Sequence, residues 1–355
     1  MLSSCLPALF PPSPPAPMST LSTSSVELLI LGAGWTSTFL LPHLATAHPS
    51  LSYAATTRDG RQGSIKWAFN PDLEGPEQFA ALPRARTVLV TFPIRGEGGS
   101  RRLVEGYEEA VGGRVRWIQL GSTGIWDGRP SSSLPPCPPQ RWTDRHSAYD
   151  TTNARAVAED ELLAMHEETF VLCLAGLWGG TRDPANWISK VAPTFEALEA
   201  KGSVHLVHGE DVARAILAVH FSPARCTSAP PDEKEDGGEG EKGRRRRGER
   251  YLVTDLRVYD WWDIVAAHPP SSPSSSTVSS RPPAVPSPSP SSSAPETKAE
   301  HTPPHALWVS QLLEKHGVRA LPRTPDELGR AMDSREFWRD FEVMPVRGRW
   351  ERGRL

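Results

Sequence analysis

Residues 26–58 constrain the fold of this chain more than any other segment. A short apolar run at residues 26–31 is followed by a glycine turn, an amphipathic segment to about residue 47 and a second β-like run at residues 51–57. The turn has the sequence Gly32-Ala33-Gly34-Trp35-Thr36-Ser37. The order strand, glycine turn, helix and strand predicts the first unit of a dinucleotide-binding fold.

The residues of this turn have predicted roles at such a site. Gly32 permits the tight turn, and Gly34 lets the backbone approach a pyrophosphate whose charge is met by N–H groups at the helix start. Ser37 replaces the usual third glycine and is still small enough to fit between helix and strand. We therefore predict cofactor contacts at Gly32, Gly34, Trp35, Thr36 and Ser37. The alternative is a plain β-α-β turn that needs its glycines for geometry alone.

The end of the second predicted strand indicates which nicotinamide cofactor is bound. NAD binders usually carry Asp or Glu there to hold the ribose hydroxyls. This strand instead ends in Thr57 and Arg58, with Arg61 close behind, and a cation beside hydroxyl groups suits a 2′-phosphate. We therefore expect NADP, held by Thr57 and Arg58. NAD remains the alternative because Asp59 follows, and Arg58 would then be a solvated loop residue.

Further β-like runs alternate with helical segments through residue 180. Strands are predicted at residues 65–69, 87–92, 115–120 and 170–174, and helices at residues 100–111 and about 151–167, the second capped by Thr151 or Thr152. This alternation predicts an α/β fold with a doubly wound parallel sheet. Such folds bind ligands where strands end, so Thr91, Pro93 and Gly121 are also predicted cofactor contacts.

Composition predicts that part of the chain does not pack. The sequence contains 36 prolines and 38% apolar residues. Residues 1–25 are predicted to be a disordered tail, and disordered inserts are predicted near residues 223–249 and 268–305. We expect residues 26–180 to form the cofactor-binding domain. Residues 181–355 are predicted to form a smaller C-terminal α+β lobe that completes the fold.

Charge and cysteine usage exclude several classes of function. The net charge of -3 argues against a nucleic-acid or membrane-surface role, and no apolar run is long enough to span a bilayer. The 4 scattered cysteines form neither a disulfide framework nor a zinc pattern, so no metal site is predicted. The first residues resemble neither a secretory signal nor a mitochondrial presequence, and Met18 is a candidate start. We expect a cytoplasmic monomer or homodimer whose partner is a small-molecule substrate.

Six short motifs together resemble one superfamily. They are Gly32-Ala33-Gly34-Trp35-Thr36-Ser37, Thr57-Arg58, Gly121-Ser122-Thr123-Gly124-Ile125-Trp126, Ala154-Arg155-Ala156-Val157-Ala158-Glu159, Gly176-Leu177-Trp178-Gly179 and His208-Gly209-Glu210-Asp211-Val212-Ala213-Arg214-Ala215. In this order they resemble the extended short-chain dehydrogenase/reductase superfamily, and most of all its atypical, YeeZ-like NAD(P)-binding members in bacteria and fungi. The resemblance implies a Rossmann domain and a smaller lobe that closes over the nicotinamide.

The resemblance also implies a catalytic set, which this sequence matches in part. In the superfamily a Ser or Thr polarises a carbonyl, a Tyr exchanges the proton, and a Lys one helical turn later lowers the Tyr pKa. Ser122 and Thr123 match the first role. Tyr149 is followed four residues on by Asn153, and alignment on the helix places Arg155 at the Lys position. The implied catalytic residues are Ser122, Thr123, Tyr149 and Arg155.

Two functions remain open at this point. One is an NADP-dependent oxidoreductase or epimerase-like enzyme acting on a small carbonyl or alcohol, which the retained hydroxyls favour. The other is a cofactor-binding sensor or scaffold without turnover, which the missing Tyr-Lys pair favours. A ketopantoate-type reductase would need a catalytic Lys in a helical second domain, where Lys190 and Lys201 are the candidates.

Two further expectations concern residues near the predicted pocket. Trp126, Trp142, Trp178 and Trp187 lie in segments expected near its mouth, and they either line it for a flat ligand or pack in cores and interfaces. Asp211, at a strand–helix junction, is predicted to cap the following helix.

Overall fold

The computed structural model describes residues 25–127, 142–223, 248–268, 304–348 and 350. All but the last residue of the predicted tail, and all but the ends of the two predicted inserts, lie outside these residues. The strands are β1 (Val26–Leu31), β2 (Tyr53–Thr57), β3 (Ile65–Lys66), β4 (Ala85–Val90), β5 (Arg116–Ser122), β6 (Trp142–Thr143), β7 (Thr169–Leu174), β8 (Gly176–Trp178), β9 (Ser203–Val204), β10 (Leu206–His208), β11 (Glu249–Val253), β12 (Tyr259–Asp260) and β13 (Ala331–Met332). The helices are α1 (Ser37–Ala47), α2 (Gly99–Val111), α3 (Ala154–Met165), α4 (Ile188–Val191), α5 (Phe195–Glu199), α6 (Gly209–Phe221), α7 (Trp261–Ala267), α8 (Pro304–His316) and α9 (Arg335–Asp340). None of these helices has both the length and the apolar character needed to cross a membrane.

Seven strands form one parallel sheet in the order β3-β2-β1-β4-β5-β7-β11. From β1 the chain adds strands first on one side and then, beginning with β4, on the other. This is the α/β doubly wound Rossmann arrangement that the sequence predicts. In such sheets a ligand crevice lies outside the carboxyl ends of the strands where the order reverses, which is here between β1 and β4.

Alternate residues of the central strands face opposite helix layers. Leu28 and Ile30 of β1 pack in a core with residues of α1 and α6, whereas Leu29 and Leu31 pack in a core with residues of α2 and α3. A parallel strand covered on both faces has to be apolar throughout, which explains the unbroken apolar run of β1. The two helix layers hold the strand ends in place.

The C-terminal part of the chain contributes a third core and one edge of the sheet. Trp178, Trp262 and Leu312 belong to this core, which α4, α5, α7 and α8 surround. Strand β11 adds to β7, so the last third of the chain completes the main sheet. The division at residue 180 into a cofactor-binding domain and a smaller C-terminal lobe stays a prediction.

The third strand is shorter than predicted. It ends at Lys66, and Trp67 turns away, its backbone N–H donating to the Thr57 carbonyl and its Nε1 to the Gln78 carbonyl at 2.8 Å. Phe69 follows in the same turn and packs against the core between the sheet and α2. The apolar run predicted as a strand therefore supplies aromatic side chains beside the end of β2.

Both predicted helix caps are wrong. Helix α3 is capped by Asn153, whose Oδ1 accepts the Arg155 N–H at 3.0 Å, while the Thr152 hydroxyl donates to Asp150. Helix α6 is capped by His208, whose Nδ1 accepts the Glu210 N–H at 3.0 Å. The two carboxylate oxygens of Asp211 instead accept backbone N–H groups of Val346 and Arg347, so this buried residue anchors a distant segment.

Candidate functional site

The loop after β1 is shaped around two glycines. Gly32 has a φ of 86°, and a Cβ atom there would lie 2.9 Å from the Thr91 Oγ1. Its N–H donates to the Thr56 Oγ1 at 2.9 Å, and its carbonyl accepts the Thr91 hydroxyl. Only glycine fits this left-handed position without strain and without displacing the end of β4. Gly34 differs, because a Cβ atom there would meet only the Gly32 carbonyl oxygen, 3.9 Å away.

Three cavities meet at Gly34, which lines all of them. The outer cavity, of about 610 Å³, lies beside the end of β2 and contains Trp67 and Phe92 in its wall. The helix-side cavity, of about 650 Å³, runs along the start of α1. The inner recess, of about 230 Å³, lies over the ends of β1, β4, β5 and β7. Together they form a groove that crosses the glycine loop.

The start of α1 fits a phosphate group. Ser37 is buried, and its Oγ has no hydrogen-bond partner among the described residues. Thr36, the residue before the helix, makes no side-chain capping bond. The N–H groups of residues 37–40 are bonded to carbonyls of the preceding turn, whereas those of Trp35 and Thr36 have no acceptor among the described residues. A buried orphan hydroxyl and two free N–H groups at a glycine loop match the needs of a nucleotide pyrophosphate.

At the end of β2, Arg58 supplies a cation, whereas the Thr57 hydroxyl is already hydrogen-bonded within the protein. The Thr57 Oγ1 accepts the N–H groups of Gly60 and Arg61 and is 2.6 Å from the Ser64 Oγ, so it shapes the loop. Arg58 is exposed in the wall of the outer cavity and makes no ion pair among the described residues. Arg61 pairs with Asp59 at 3.5 Å. Arg58 is thus the guanidinium available to an anion in this cavity.

The outer cavity has an aromatic wall that the sequence did not indicate. Phe69 stacks on Phe92 with ring centroids 6.2 Å apart, and Trp67 stacks on Phe69 at 6.4 Å. These rings come from the segment after β3 and from the end of β4. A flat apolar ring of a ligand can pack against them.

The inner recess gathers half of the predicted site residues. Its lining includes Gly34, Trp35, Thr36, Thr91, Gly121, Ser122 and Arg155. The Ser122 Oγ accepts the Gly124 N–H at 3.2 Å, which leaves its own hydroxyl hydrogen free to donate into the recess. A Cβ atom at Gly121 would lie 2.8 Å from the Glu159 Oε1, so this glycine allows α3 to approach β5. Thr123 is buried in the following turn, and Pro93 lies exposed after β4; neither lines the three cavities.

Tyr149 lies in a charged network away from the recess lining. Its hydroxyl donates to the Asp160 Oδ1 at 2.7 Å, and the guanidinium of Arg250 lies 4.5 Å from the centre of its ring. Burial and the hydrogen bond to Asp160 raise the pKa of Tyr149. Arg250 also bonds the buried Glu159 at 3.2 Å. This placement does not favour Tyr149 as a proton donor to a ligand in the recess.

Two arginines face the recess. Arg155 lies in the first turn of α3 and makes no ion pair among the described residues, since the neighbouring Glu159 pairs with Arg250. Arg182 lies in the segment after β8, and its Cζ is 4.4 Å from the centre of the Trp35 ring. The sequence analysis missed Arg182, because no local pattern connects it with a residue about 150 positions earlier.

None of the four tryptophans predicted near the pocket mouth is among the residues that line the three cavities. Trp126 is buried and donates to the Ser147 carbonyl, and Trp178 is buried against His208. Trp187 packs on the third core, and Trp142 is exposed on β6. Packing is therefore the correct alternative for three of them. Among the described residues no group of three or more His, Cys, Asp or Glu side chains could hold a metal ion.

Comparisons with known proteins yield similar solved structures only. No protein-family model matches the chain, and no curated protein matches it. A protein described as an NAD-dependent epimerase/dehydratase, from Methylobacillus flagellatus, is 12% identical with a TM-score of 0.48, over 92% of this chain and 95% of that one. MoeE5 in complex with UDP-glucose and NAD is 14% identical with a TM-score of 0.47, over 92% and 94%. Vestitone reductase from alfalfa is 17% identical with a TM-score of 0.42, over 67% and 79%. The resemblance to the extended short-chain dehydrogenase/reductase superfamily and to its YeeZ-like subgroup stays a prediction.

Proposed function

We propose that this protein binds NADP and acts as an oxidoreductase or epimerase-like enzyme on a small carbonyl or alcohol compound. The observation that carries the proposal is the groove through Gly34, which joins an aromatic cavity beside Arg58 to a polar recess at Ser122. It crosses the carboxyl ends of the strands where the sheet order reverses, the usual ligand position in such folds.

Each part of the groove suits one part of the dinucleotide. The loop at Gly32 and Gly34, with Ser37 at the start of α1, would hold the pyrophosphate. The aromatic wall of the outer cavity would pack against the adenine ring. Arg58 would pair with a 2′-phosphate, which favours NADP over NAD. The inner recess would receive the nicotinamide.

The chemistry that a bound nicotinamide supplies is hydride exchange with a carbonyl or alcohol carbon. The residue of this chain best placed to assist is Ser122, because its hydroxyl lines the recess and has a hydrogen to donate. It would bond the substrate oxygen and orient the carbon toward the cofactor. Thr91 is less suited, since its hydroxyl donates to the backbone carbonyls of Leu31 and Gly32.

A substitution at Gly34 tests cofactor binding directly. Gly34→Val should fold, because no atom lies closer than 3.9 Å to the new Cβ, but its side chain would fill the crossing of the groove. We expect NADPH affinity, measured by fluorescence titration, to fall by at least about tenfold, or about 1.4 kcal/mol. Ala45→Val on the exposed side of α1 is the control and should bind as the wild type does. Absence of NADPH and NADH binding by the wild-type protein would refute the proposal.

A second candidate function is cofactor binding without turnover. The observation that favours it is the Tyr149 hydroxyl, which is bonded to Asp160 and does not line the recess. Incubation of the NADPH complex with a broad panel of aldehydes and ketones separates the two. Oxidation of the cofactor supports the enzyme, and tight binding without oxidation of any compound supports the sensor or scaffold.

A further inference from the structure

The inner recess has two guanidinium groups in its wall and no carboxylate among its described lining residues. Arg155 and Arg182 both lack an ion pair within the described part of the chain. An arginine that faces a polar cavity without a counter-charge is an attractive partner for an anion, and two of them at one small cavity reinforce each other.

The surroundings leave the donors of Arg182 available. Its guanidinium stacks on the Trp35 ring, and stacking uses the face of the group while the N–H groups point outward in its plane. Trp35 is itself fixed, since its Nε1 donates to the Gly179 carbonyl at 3.1 Å. Partial burial lowers the pKa of Arg182, as expected for a cation without a neighbouring negative charge. The stacking on Trp35 therefore fixes the orientation of the Arg182 N–H donors.

Arg155, at the start of α3, also lines the recess. Glu159, four residues further along α3, is buried and bonded to Arg250 rather than to Arg155. Burial raises the pKa of Glu159, while the charges of Arg250 and Arg155 act against that rise. Glu159 thus offsets part of the charge of Arg155 without occupying its donors.

The rest of the wall limits the size and character of a ligand. Leu120, Leu174, Ala175 and Leu177 give the recess an apolar side, and Ser122 is its hydroxyl donor. Its volume of about 230 Å³ is below that of ordinary drug-sized sites, roughly 300–1,000 Å³. Because the nicotinamide would occupy part of the same recess, the remaining space suits only a short molecule with an oxygen to be oriented, a few carbons and a charged end.

We infer that the substrate is a small carbonyl or alcohol compound with an anionic group, a carboxylate or a phosphate, held between Arg155 and Arg182. This inference rests on the proposed function, because it assigns the substrate class of the same site. The pyrophosphate of the cofactor has its own donors at the glycine loop and the start of α1, so the arginines are assigned to the substrate.

Matched ligand pairs test the inference. The affinity of the NADPH-saturated protein is measured by calorimetry for 4-hydroxybutanoate against 4-hydroxybutanamide, and for glycerol 3-phosphate against glycerol. In the wild type we expect the anion of at least one pair to bind about tenfold more tightly than its neutral partner, as for a charge-assisted bond to arginine. Which pair shows the preference distinguishes a carboxylate from a phosphate. Equal binding within both pairs would overturn the inference.

Variants then assign the preference to the two arginines. Arg155→Gln and Arg182→Gln should each lower the ratio of anion affinity to neutral-ligand affinity toward one. The fold-loss of this ratio in the double variant should be smaller than the product of the two single fold-losses, because both arginines hold the same anion. Arg86→Gln, at an exposed position near the amino end of β4, is the control and should keep the full preference. A preference unchanged in both single variants would also overturn the inference.

NADPH titration of the same variants separates this inference from the proposed function. If Arg182→Gln weakens NADPH binding and leaves the anion preference intact, the arginine serves the cofactor and the inference is wrong. If the wild type binds the anions but neither NADPH nor NADH, the proposed function is wrong while the anion site stands.

Discussion

The indole nitrogen of Trp35 donates a hydrogen bond to the carbonyl oxygen of Gly179, and the two atoms are 3.1 Å apart. The bond connects the glycine loop after β1 with the segment after β8. Arg182, three residues beyond Gly179, stacks its guanidinium over the ring of Trp35. Trp35 therefore couples the cofactor loop to the arginine that we assign to the substrate.

Replacement of Trp35 separates its hydrogen bond from its ring. Trp35→Phe keeps a ring under Arg182 but removes the donor to Gly179, a loss of about 1 kcal/mol for a neutral hydrogen bond. We expect NADPH to bind about fivefold more weakly, by fluorescence titration, because the loop is less well held. Trp35→Ala should bind still more weakly. Equal affinities of wild type and Trp35→Phe would show that the bond does not support the cofactor site.

Substitution of Arg58 should change cofactor preference and little else. With Arg58→Gln we expect NADPH affinity to fall by about tenfold or more, since a charge-assisted bond to the 2′-phosphate is lost, while NADH affinity stays constant. The ratio of the two dissociation constants is the readout. Arg86→Gln, near the amino end of β4 and so away from the carboxyl ends of the strands, should leave this ratio unchanged. A parallel fall of both affinities in Arg58→Gln would point to a structural role instead.

Ser122 and Tyr149 should behave differently once a substrate is known. Ser122→Ala should lower kcat by about a hundredfold, the lower end for a positioned hydroxyl, because Ser122 lines the recess. Tyr149→Phe should retain most of the activity and instead unfold at a lower denaturant concentration, because Asp160 loses the hydroxyl donor of Tyr149. A large fall of kcat in Tyr149→Phe would restore Tyr149 as the proton donor.

The parts of the fold that sequence predicted well are those set by local chemistry. Strand β1 has the predicted bounds, because a parallel strand buried on both faces is apolar throughout. The turn at Gly32 was recognisable because only glycine adopts its positive φ at such close approach to Thr91. Both features depend on a few neighbouring residues.

What sequence missed depends on residues far apart in the chain. The Asp211 carboxylate resembles a helix cap, but the Val346 and Arg347 N–H groups, more than 130 positions later, bind it instead. Arg182 reaches Trp35 only through the folded sheet. Thr151, Thr152 and Asn153, at the start of α3, all have side chains that can cap a helix. Asn153 is the cap because its backbone is extended and its side chain accepts the Arg155 N–H.

Two buried titratable groups should give the stability a pH dependence of opposite sign. The His205 Nε2 accepts the Met332 N–H at 2.9 Å, and burial lowers the pKa of His205 to about 3. Below the ordinary pKa of 6.5 the unfolded chain binds a proton at His205 that the folded chain does not. The contribution of His205 to stability is therefore complete above pH 6.5 and is lost as the pH falls toward 3. Burial raises the pKa of Asp255 to about 7, so its contribution is full below 3.8 and is lost as the pH rises toward 7.

Urea unfolding between pH 4.5 and 6.5 checks both signs. His205→Gln places an amide oxygen near the position of the Nε2 that accepts from Met332, without titrating, and should remove up to about 1.4 kcal/mol per pH unit of acid destabilisation. In Asp255→Asn the free energy of unfolding should rise more steeply with pH than in the wild type. The reason is that the wild-type carboxyl stabilises the folded state at acid pH and loses this effect as the pH rises. Slopes are compared rather than absolute stabilities, because each substitution also alters packing. Identical slopes for the wild type and both variants would contradict these assignments.

The ion pair of Arg323 and Asp260 should be essential to the C-terminal core. The Arg323 Nε and Nη2 donate to the two oxygens of Asp260 at 3.0 and 2.7 Å, and the guanidinium lies 3.6 Å from the centre of a Trp262 ring. Asp260 also caps α7 and its side chain is 0% exposed, so loss of Arg323 would leave a buried carboxylate without its cation. We expect Arg323→Met to lower the free energy of unfolding by roughly 3 kcal/mol in urea titrations. The control Arg335→Met removes an ion pair with Asp333 in which the arginine is 81% exposed, and should change stability little. Equal effects of the two substitutions would show that burial of the Arg323 pair does not determine its contribution.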